Sequence, residues 1–101
     1  NGNYCDYLPD AIEELELDFN FDLELDNLPH SIKKITFNKE SDYKRELNCL
    51  PDGLSILELP VHYDKQIRHV PKSLKKLVCS SNYPYHPDFS GIEIDNYYGG
   101  I

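Results

Sequence analysis

Apolar residues along this chain gather in short clusters written apolar-x-apolar: Leu15-Glu16-Leu17, Ile35-Thr36-Phe37, Leu57-Glu58-Leu59 and Leu77-Val78-Cys79. A period of two puts the outer pair on one face of an extended segment and the middle residue on the other, so each cluster predicts a short strand. The same lead-in precedes each one. Leu8 runs to Ile12, Leu15 and Leu17; Leu28 to Ile32, Ile35 and Phe37; Leu50 to Leu54, Leu57 and Leu59; Val70 to Leu74, Leu77 and Cys79. Proline follows the leading residue in all four, and the copies step by 20, 22 and 20 residues. Because proline fixes φ and offers no N–H to a ladder, Pro9, Pro29, Pro51 and Pro71 belong to turns on the non-strand limb. A degenerate fifth copy reads as Tyr85, Phe89, Ile92 and Ile94, after a shortened step of 15 residues from Cys79 to Ile94.

One coil of this length cannot bury its own apolar positions, so neighbouring coils must supply the rest of the core. The expected fold is a leucine-rich-repeat-like solenoid of four to five coils, with short parallel strands, one per coil of 20–22 residues, and little regular helix. Residues 1–101 form one repeat domain, with coils at about 8–27, 28–49, 50–69 and 70–84 and the degenerate copy at 85–98. The chain starts at Asn1 and not at methionine, which suggests a piece of a longer protein. A second column follows each strand by four residues, at Phe21, Tyr63, Tyr83 and Tyr98; a two-residue insertion displaces Tyr43 to six. Aromatic residues at the repeat period predict a stacked spine, with Leu25, Leu47 and Ile67 continuing inward.

Charge narrows the choice of partner. The net charge of -8 is concentrated early: nine acidic residues precede the first basic one, Lys33, and the rest carries ten basic against nine acidic. A polyanion needs a basic face to bind, so neither nucleic acid nor an anionic membrane is an expected partner. No apolar run approaches the ~18 residues that span a bilayer. Cys5, Cys49 and Cys79 are widely spaced and no N-x-S/T acceptor occurs, which points to a reducing compartment such as the cytoplasm.

Two stretches, Leu28-Pro29-His30-Ser31-Ile32-Lys33-Lys34-Ile35-Thr36-Phe37 and Val70-Pro71-Lys72-Ser73-Leu74-Lys75-Lys76-Leu77, resemble the FNIP repeat, a leucine-rich-repeat variant. Its approximate pattern is L-P-x-S-L/I-K-x-L-x-F/L-G-x-x-F-N-x-P-I, and the resemblance runs from about residue 8 to 98. The glycine after the strand is replaced here by Asp18, Asn38, Pro60 and Ser80, and no copy has a complete F-N-x-P. The resemblance implies a tandem binding array of the kind found in social amoebae and their giant viruses, placing the chain in host cytoplasm or a virion. Family arrays are often attached to an F-box, which is not present in this sequence. A weaker likeness is to bacterial effector repeats with L-P-x-x-L-x-x-L-x-V.

The expected recognition surface is the solvent-facing side of the strands: Glu14, Glu16 and Asp18; Lys34, Thr36 and Asn38; Ile56, Glu58 and Pro60; Lys76, Val78 and Ser80; Gly91, Glu93 and Asp95. Cross-strand Glu–Lys pairing accounts for part of this charge without any ligand. The run Asp18, Asn20, Asp22, Glu24, Asp26 resembles a calcium loop but has Leu23 where glycine is needed and Pro29 where the bidentate glutamate belongs. Its alternation with Phe19, Phe21, Leu23 and Leu25 predicts instead an extended segment with one acidic and one apolar face. Cys49, Cys79, His30, His62, His69 and His86 show no motif spacing for catalysis or metal, and Cys79 takes a core position. The expectation is a non-catalytic protein-interaction scaffold with no cofactor or metal. Two alternatives remain: a structural component of a larger assembly such as a virus particle, self-associating because neither end shows a polar cap, and the substrate-recognition arm of an F-box adaptor.

Overall fold

The computed structural model describes residues 8, 11–25, 28–85, 89 and 91–96. It contains five short strands, β1 (Glu14–Leu17), β2 (Lys34–Phe37), β3 (Ile56–Glu58), β4 (Lys76–Cys79) and β5 (Glu93–Asn96). They form one parallel sheet in the order β1-β2-β3-β4-β5. Strand order equal to chain order, with every pairing parallel, is the topology of a right-through coil: each circuit returns the chain beside its own start. The expected repeat solenoid is therefore present, and among the described residues there is no α-helix.

The register lines up the repeat's apolar pair, with Leu15 beside Ile35, Ile35 beside Leu57 and Leu57 beside Leu77. All four are buried, as are Leu17, Phe37, Leu59 and Cys79 two residues later. The strand entrance repeats as well. Lys33 and Lys34 N–H donate to the Glu13 carbonyl at 2.7 and 3.2 Å, Ser55 and Ile56 to Lys33 at 2.8 and 3.1 Å, and Lys75 and Lys76 to Ser55 at 2.8 and 3.1 Å. On the far limb Pro29, Pro51 and Pro71 each open a turn closed three residues on, Ile32 N–H to Pro29 O (3.2 Å), Leu54 to Pro51 (3.1 Å) and Leu74 to Pro71 (3.1 Å), while Pro9 lies outside the described residues.

The fifth coil departs from the alignment drawn on sequence. Ile94 lies beside Leu77, and Asn96 beside Cys79, so Ile94 is the first member of the pair and not the second. Ile92 is still in the turn exit, its N–H donating to Phe89 O at 3.1 Å as Leu74 donates to Pro71. A slip of two keeps each side chain on its own face, which is why apolar spacing could not reveal it. Gly91 correspondingly sits in this turn at φ 82°, a left-handed conformation that suits glycine, and not on the strand face.

Serine adds a ladder between coils. Ser31 Oγ donates to Ile12 O at 2.6 Å, and Ser73 Oγ lies 2.6 Å from both Leu54 O and Asp52 O. Coil 3 has Gly53 at this position, where an added Cβ would lie 3.0 Å from His30 O and 3.9 Å from Ile32 O. Those two carbonyls correspond to the ones Ser73 reaches. Gly53→Ser should raise the unfolding free energy by about 1 kcal/mol, from a hydrogen bond and a less flexible unfolded chain, once the His30 carbonyl yields a few tenths of an ångström. Urea denaturation of the two proteins checks this.

Candidate functional site: the outward sheet face

The strand period leaves two outward columns. Glu14, Lys34, Ile56, Lys76 and Glu93 stand side by side in the first, and Glu16, Thr36, Glu58, Val78 and Asp95 in the second. Their sequence-predicted companions Asp18 and Asn38 lie one residue past the strands, at the head of turns in which Asp18 O accepts from Phe21 N (3.1 Å) and Asn38 O from Ser41 N (3.0 Å). Pro60 heads the equivalent turn but is buried, so it does not belong to the surface. Ser80 is half-buried at the fourth turn.

Cross-strand pairing takes a diagonal form. Lys34 Nζ reaches Glu58 Oε2 at 3.6 Å, and Lys76 Nζ reaches Asp95 Oδ2 at 3.0 Å, each partner being one strand over and two residues along. The hydrogen bond from Lys76 to Asp95, and then their charge attraction, raises the ammonium pKa above its ordinary value. Both pairs are partly solvated, and Lys34–Glu58 contributes only about 0.2–1 kcal/mol. With these four charges paired, the half-buried Ile56 and Val78 form an apolar patch on the neighbouring strands β3 and β4. Glu14 and Glu16 are exposed on β1, and no ion pair between described residues engages them.

Behind the strands the aromatic column stacks as expected. Ring centroids of Phe21 and Tyr43 are 5.7 Å apart, Tyr43 and Tyr63 6.4 Å, and Tyr63 and Tyr83 6.3 Å. The hydroxyls repeat too: Tyr43 donates to Leu23 O (2.9 Å), Tyr63 to Arg45 O (2.8 Å) and Tyr83 to Lys65 O (2.7 Å), always two residues beyond the preceding spine member. The spine thus ties each coil to the previous one and holds the face in register. Tyr98, its expected fifth member, lies outside the described residues, as do Cys5, His86 and Asp26.

The acidic run does not have the apolar face its alternation suggested. Phe19 is 65% exposed and Leu23 51%, while Phe21 and Leu25 turn inward. The Asp18–Phe21 turn breaks the extended backbone and lifts Phe19 to its tip. Sequence reading missed both residues as surface features. Turn alignment carried the signal, because Lys39, Val61 and Ser81 occupy the position of Phe19 in later coils.

Among the described residues, no group of three or more His, Cys, Asp or Glu side chains is arranged to hold a metal ion. His30 and Asp52 approach only to 4.0 Å, both largely exposed. Cys79 is buried, and that burial pushes its thiol up to about 11, so it is protonated at neutral pH. Cys49 is exposed. Iodoacetamide at pH 8 should therefore label Cys49 in the native chain and Cys79 only after denaturation, as read by peptide mass mapping.

The family model described as FNIP Repeat matches residues 6–40, spanning the first coil and the strand of the second. No curated protein and no solved structure matches the chain.

Proposed function

From the FNIP repeat carried at residues 6–40, on a solenoid whose later coils repeat the same geometry, we propose that this chain is a non-catalytic protein-interaction scaffold docking a partner protein on its outward sheet face. The observation that carries this reading is the composition of the two outward columns: half-buried Ile56 and Val78 on neighbouring strands, paired charges around them, and exposed Glu14 and Glu16 at one edge. An apolar patch inside a polar rim is how protein interfaces are built. Short aligned strands also present it as one rigid surface, so little ordering entropy opposes binding.

Self-assembly through open repeat ends is the weaker reading. On β5, Asn96 takes the position of Leu17, Phe37, Leu59 and Cys79, and its amide donates to Cys79 O at 3.3 Å. A polar residue there makes the last strand a poor template for another apolar coil.

The test is the combined substitution Glu14→Lys, Glu16→Lys and Lys34→Glu, assayed against a partner recovered by crosslinking in the source cells. Binding should weaken at least about tenfold, equivalent to ~1.4 kcal/mol, while the circular dichroism spectrum is unchanged. Unaltered binding would remove the sheet face from consideration.

A further inference from the structure

The strands at the two edges of the sheet share a pattern that the three between them lack. β1 reads Glu14-Leu15-Glu16-Leu17 and β5 reads Glu93-Ile94-Asp95-Asn96, each acid, aliphatic, acid. β2 (Lys34-Ile35-Thr36-Phe37), β3 (Ile56-Leu57-Glu58) and β4 (Lys76-Leu77-Val78-Cys79) do not. The two edge strands differ in kind only at their last position, where Leu17 is buried and Asn96 is exposed.

The likeness matters at β4. One register serves the whole stack, with Leu15 beside Ile35 as Leu57 is beside Leu77. In that register, coil 1 of a second copy laid against β4 in place of coil 5 would set Leu15 beside Leu77 and Leu17 beside Cys79, and would bring Glu16 to the position of Asp95. Lys34 and Lys76 each reach diagonally to an acid on the next strand, Glu58 at 3.6 Å and Asp95 at 3.0 Å, and Glu16 of the second copy supplies the same acid to Lys76. The edge of β1 that this pairing uses is the one away from β2, and no described strand pairs with it.

Coil 5 holds its place more weakly than an interior coil. Its circuit is the shortest, 17 residues from Leu77 to Ile94 where the earlier steps between the same positions are 20, 22 and 20. At the interior strands two successive N–H groups donate to one carbonyl, whereas at β5 the Ile92 N–H goes to the turn and Glu93 alone reaches Lys75 O, at 3.0 Å. Ile94 is only half-buried, and Asn96 offers one amide bond to Cys79 O at 3.3 Å where the other coils bury an apolar side chain. What favours coil 5 over a second copy is its attachment, since a tethered segment competes at an effective concentration on the order of mM.

We propose that coil 5 is a self-blocking cap: it closes the β4 edge with a polar-ended likeness of β1, and on its displacement that edge takes coil 1 of a second copy of this chain, head to tail. Contacts of this kind are heterologous, so each added copy presents a fresh β4 edge and the stack stays open-ended. This goes beyond the sheet-face reading and does not depend on it.

The experiment compares the full parent chain with the full chain carrying Ile94→Ala and Asp95→Lys, which weaken coil 5 and leave coils 1–3 untouched. By sedimentation velocity the parent should remain a single chain over a wide concentration range, and the double variant should grow with concentration to two copies and beyond. Amide exchange run beside it should show Glu93–Asn96 losing protection while Ile35 and Leu57 keep theirs, which separates loss of the cap from unfolding. If Ile35 and Leu57 lose protection as well, Ile94→Ala alone makes the same comparison. Adding Glu14→Lys and Glu16→Lys, both at exposed positions, should return the variant to a single chain, because Lys76 then faces like charge. A variant with coil 5 open that stays a single chain, growth that survives the two β1 substitutions, or a parent that associates with coil 5 still protected would each overturn the cap.

Discussion

Leu57→Ala is expected to lower the unfolding free energy by about 2–5 kcal/mol, a large share of the ~5–15 kcal/mol typical of a folded domain. Leu57 is fully buried on the central strand, with Ile35 on one side and Leu77 on the other. Truncation therefore opens a cavity shared by three coils. In a solenoid each coil is stabilised by its neighbours, so a defect in one coil weakens those stacked on it. The effect should propagate along the whole chain. Ile94→Ala makes the contrast, because Ile94 is only half-buried on β5 and, among the described residues, has a strand neighbour on one side, Leu77. Its loss should cost roughly 1 kcal/mol or less and loosen the fifth coil first. Urea denaturation gives both values, and equal losses would mean that the core is not ordered by stacking.

The second large effect is expected at Tyr63, the middle of the aromatic spine. Tyr63→Ala removes a buried ring that stacks on Tyr43 and Tyr83 and should cost about 3–5 kcal/mol. Tyr63→Phe keeps the ring and removes only the hydroxyl bonded to Arg45 O at 2.8 Å, which should cost about 1 kcal/mol. The two variants separate packing from the hydroxyl ladder. They also differ from the parent in alkali. Burial first, and then the neighbouring Tyr83 and Tyr43, hold the Tyr63 phenol protonated well above its ordinary value of 10.0. Above pH 10 the unfolded chain ionises at this residue and the folded chain does not. The stability Tyr63 contributes is complete below that pH and is lost as pH rises beyond it. Tyr63→Phe should flatten the fall in stability between pH 10 and 11.5, and an unchanged slope would mean that the phenol is already solvated in the folded chain.

Much of this architecture could be read from the sequence because the features that build it are periodic. Leu15, Ile35, Leu57 and Leu77 recur at the coil length, and burial of a stacked column requires that recurrence. The same holds for the spine at Phe21, Tyr43, Tyr63 and Tyr83. What escaped was set by one-off geometry. Ile94 satisfies the apolar pattern equally well in either of two registers, and a missing residue between turn and strand decides between them. Phe19 and Leu23 alternate like a half-buried strand, but the turn closed by Phe21 N–H interrupts the period and leaves both outside. The serine and tyrosine ladders end on main-chain carbonyls, which carry no residue identity and so leave no trace on the accepting side. The candidate face was legible at Glu14, Glu16, Lys34, Thr36, Ile56, Glu58, Lys76, Val78 and Glu93, since strand alternation alone puts them outward. Its diagonal ion pairs depended on register, and so did the exclusion of Pro60.

Each coil hydrogen-bonds in parallel to the one before it, and trans-hydrogen-bond scalar couplings in ¹⁵N,¹³C-labelled protein would register those bonds one by one. The predicted couplings run from Asn38 N to Leu17 C′, Ser55 N to Lys33 C′, Lys75 N to Ser55 C′ and Glu93 N to Lys75 C′. Couplings that instead joined these strands in antiparallel hairpins, or linked residues four apart as in a helix, would contradict the solenoid.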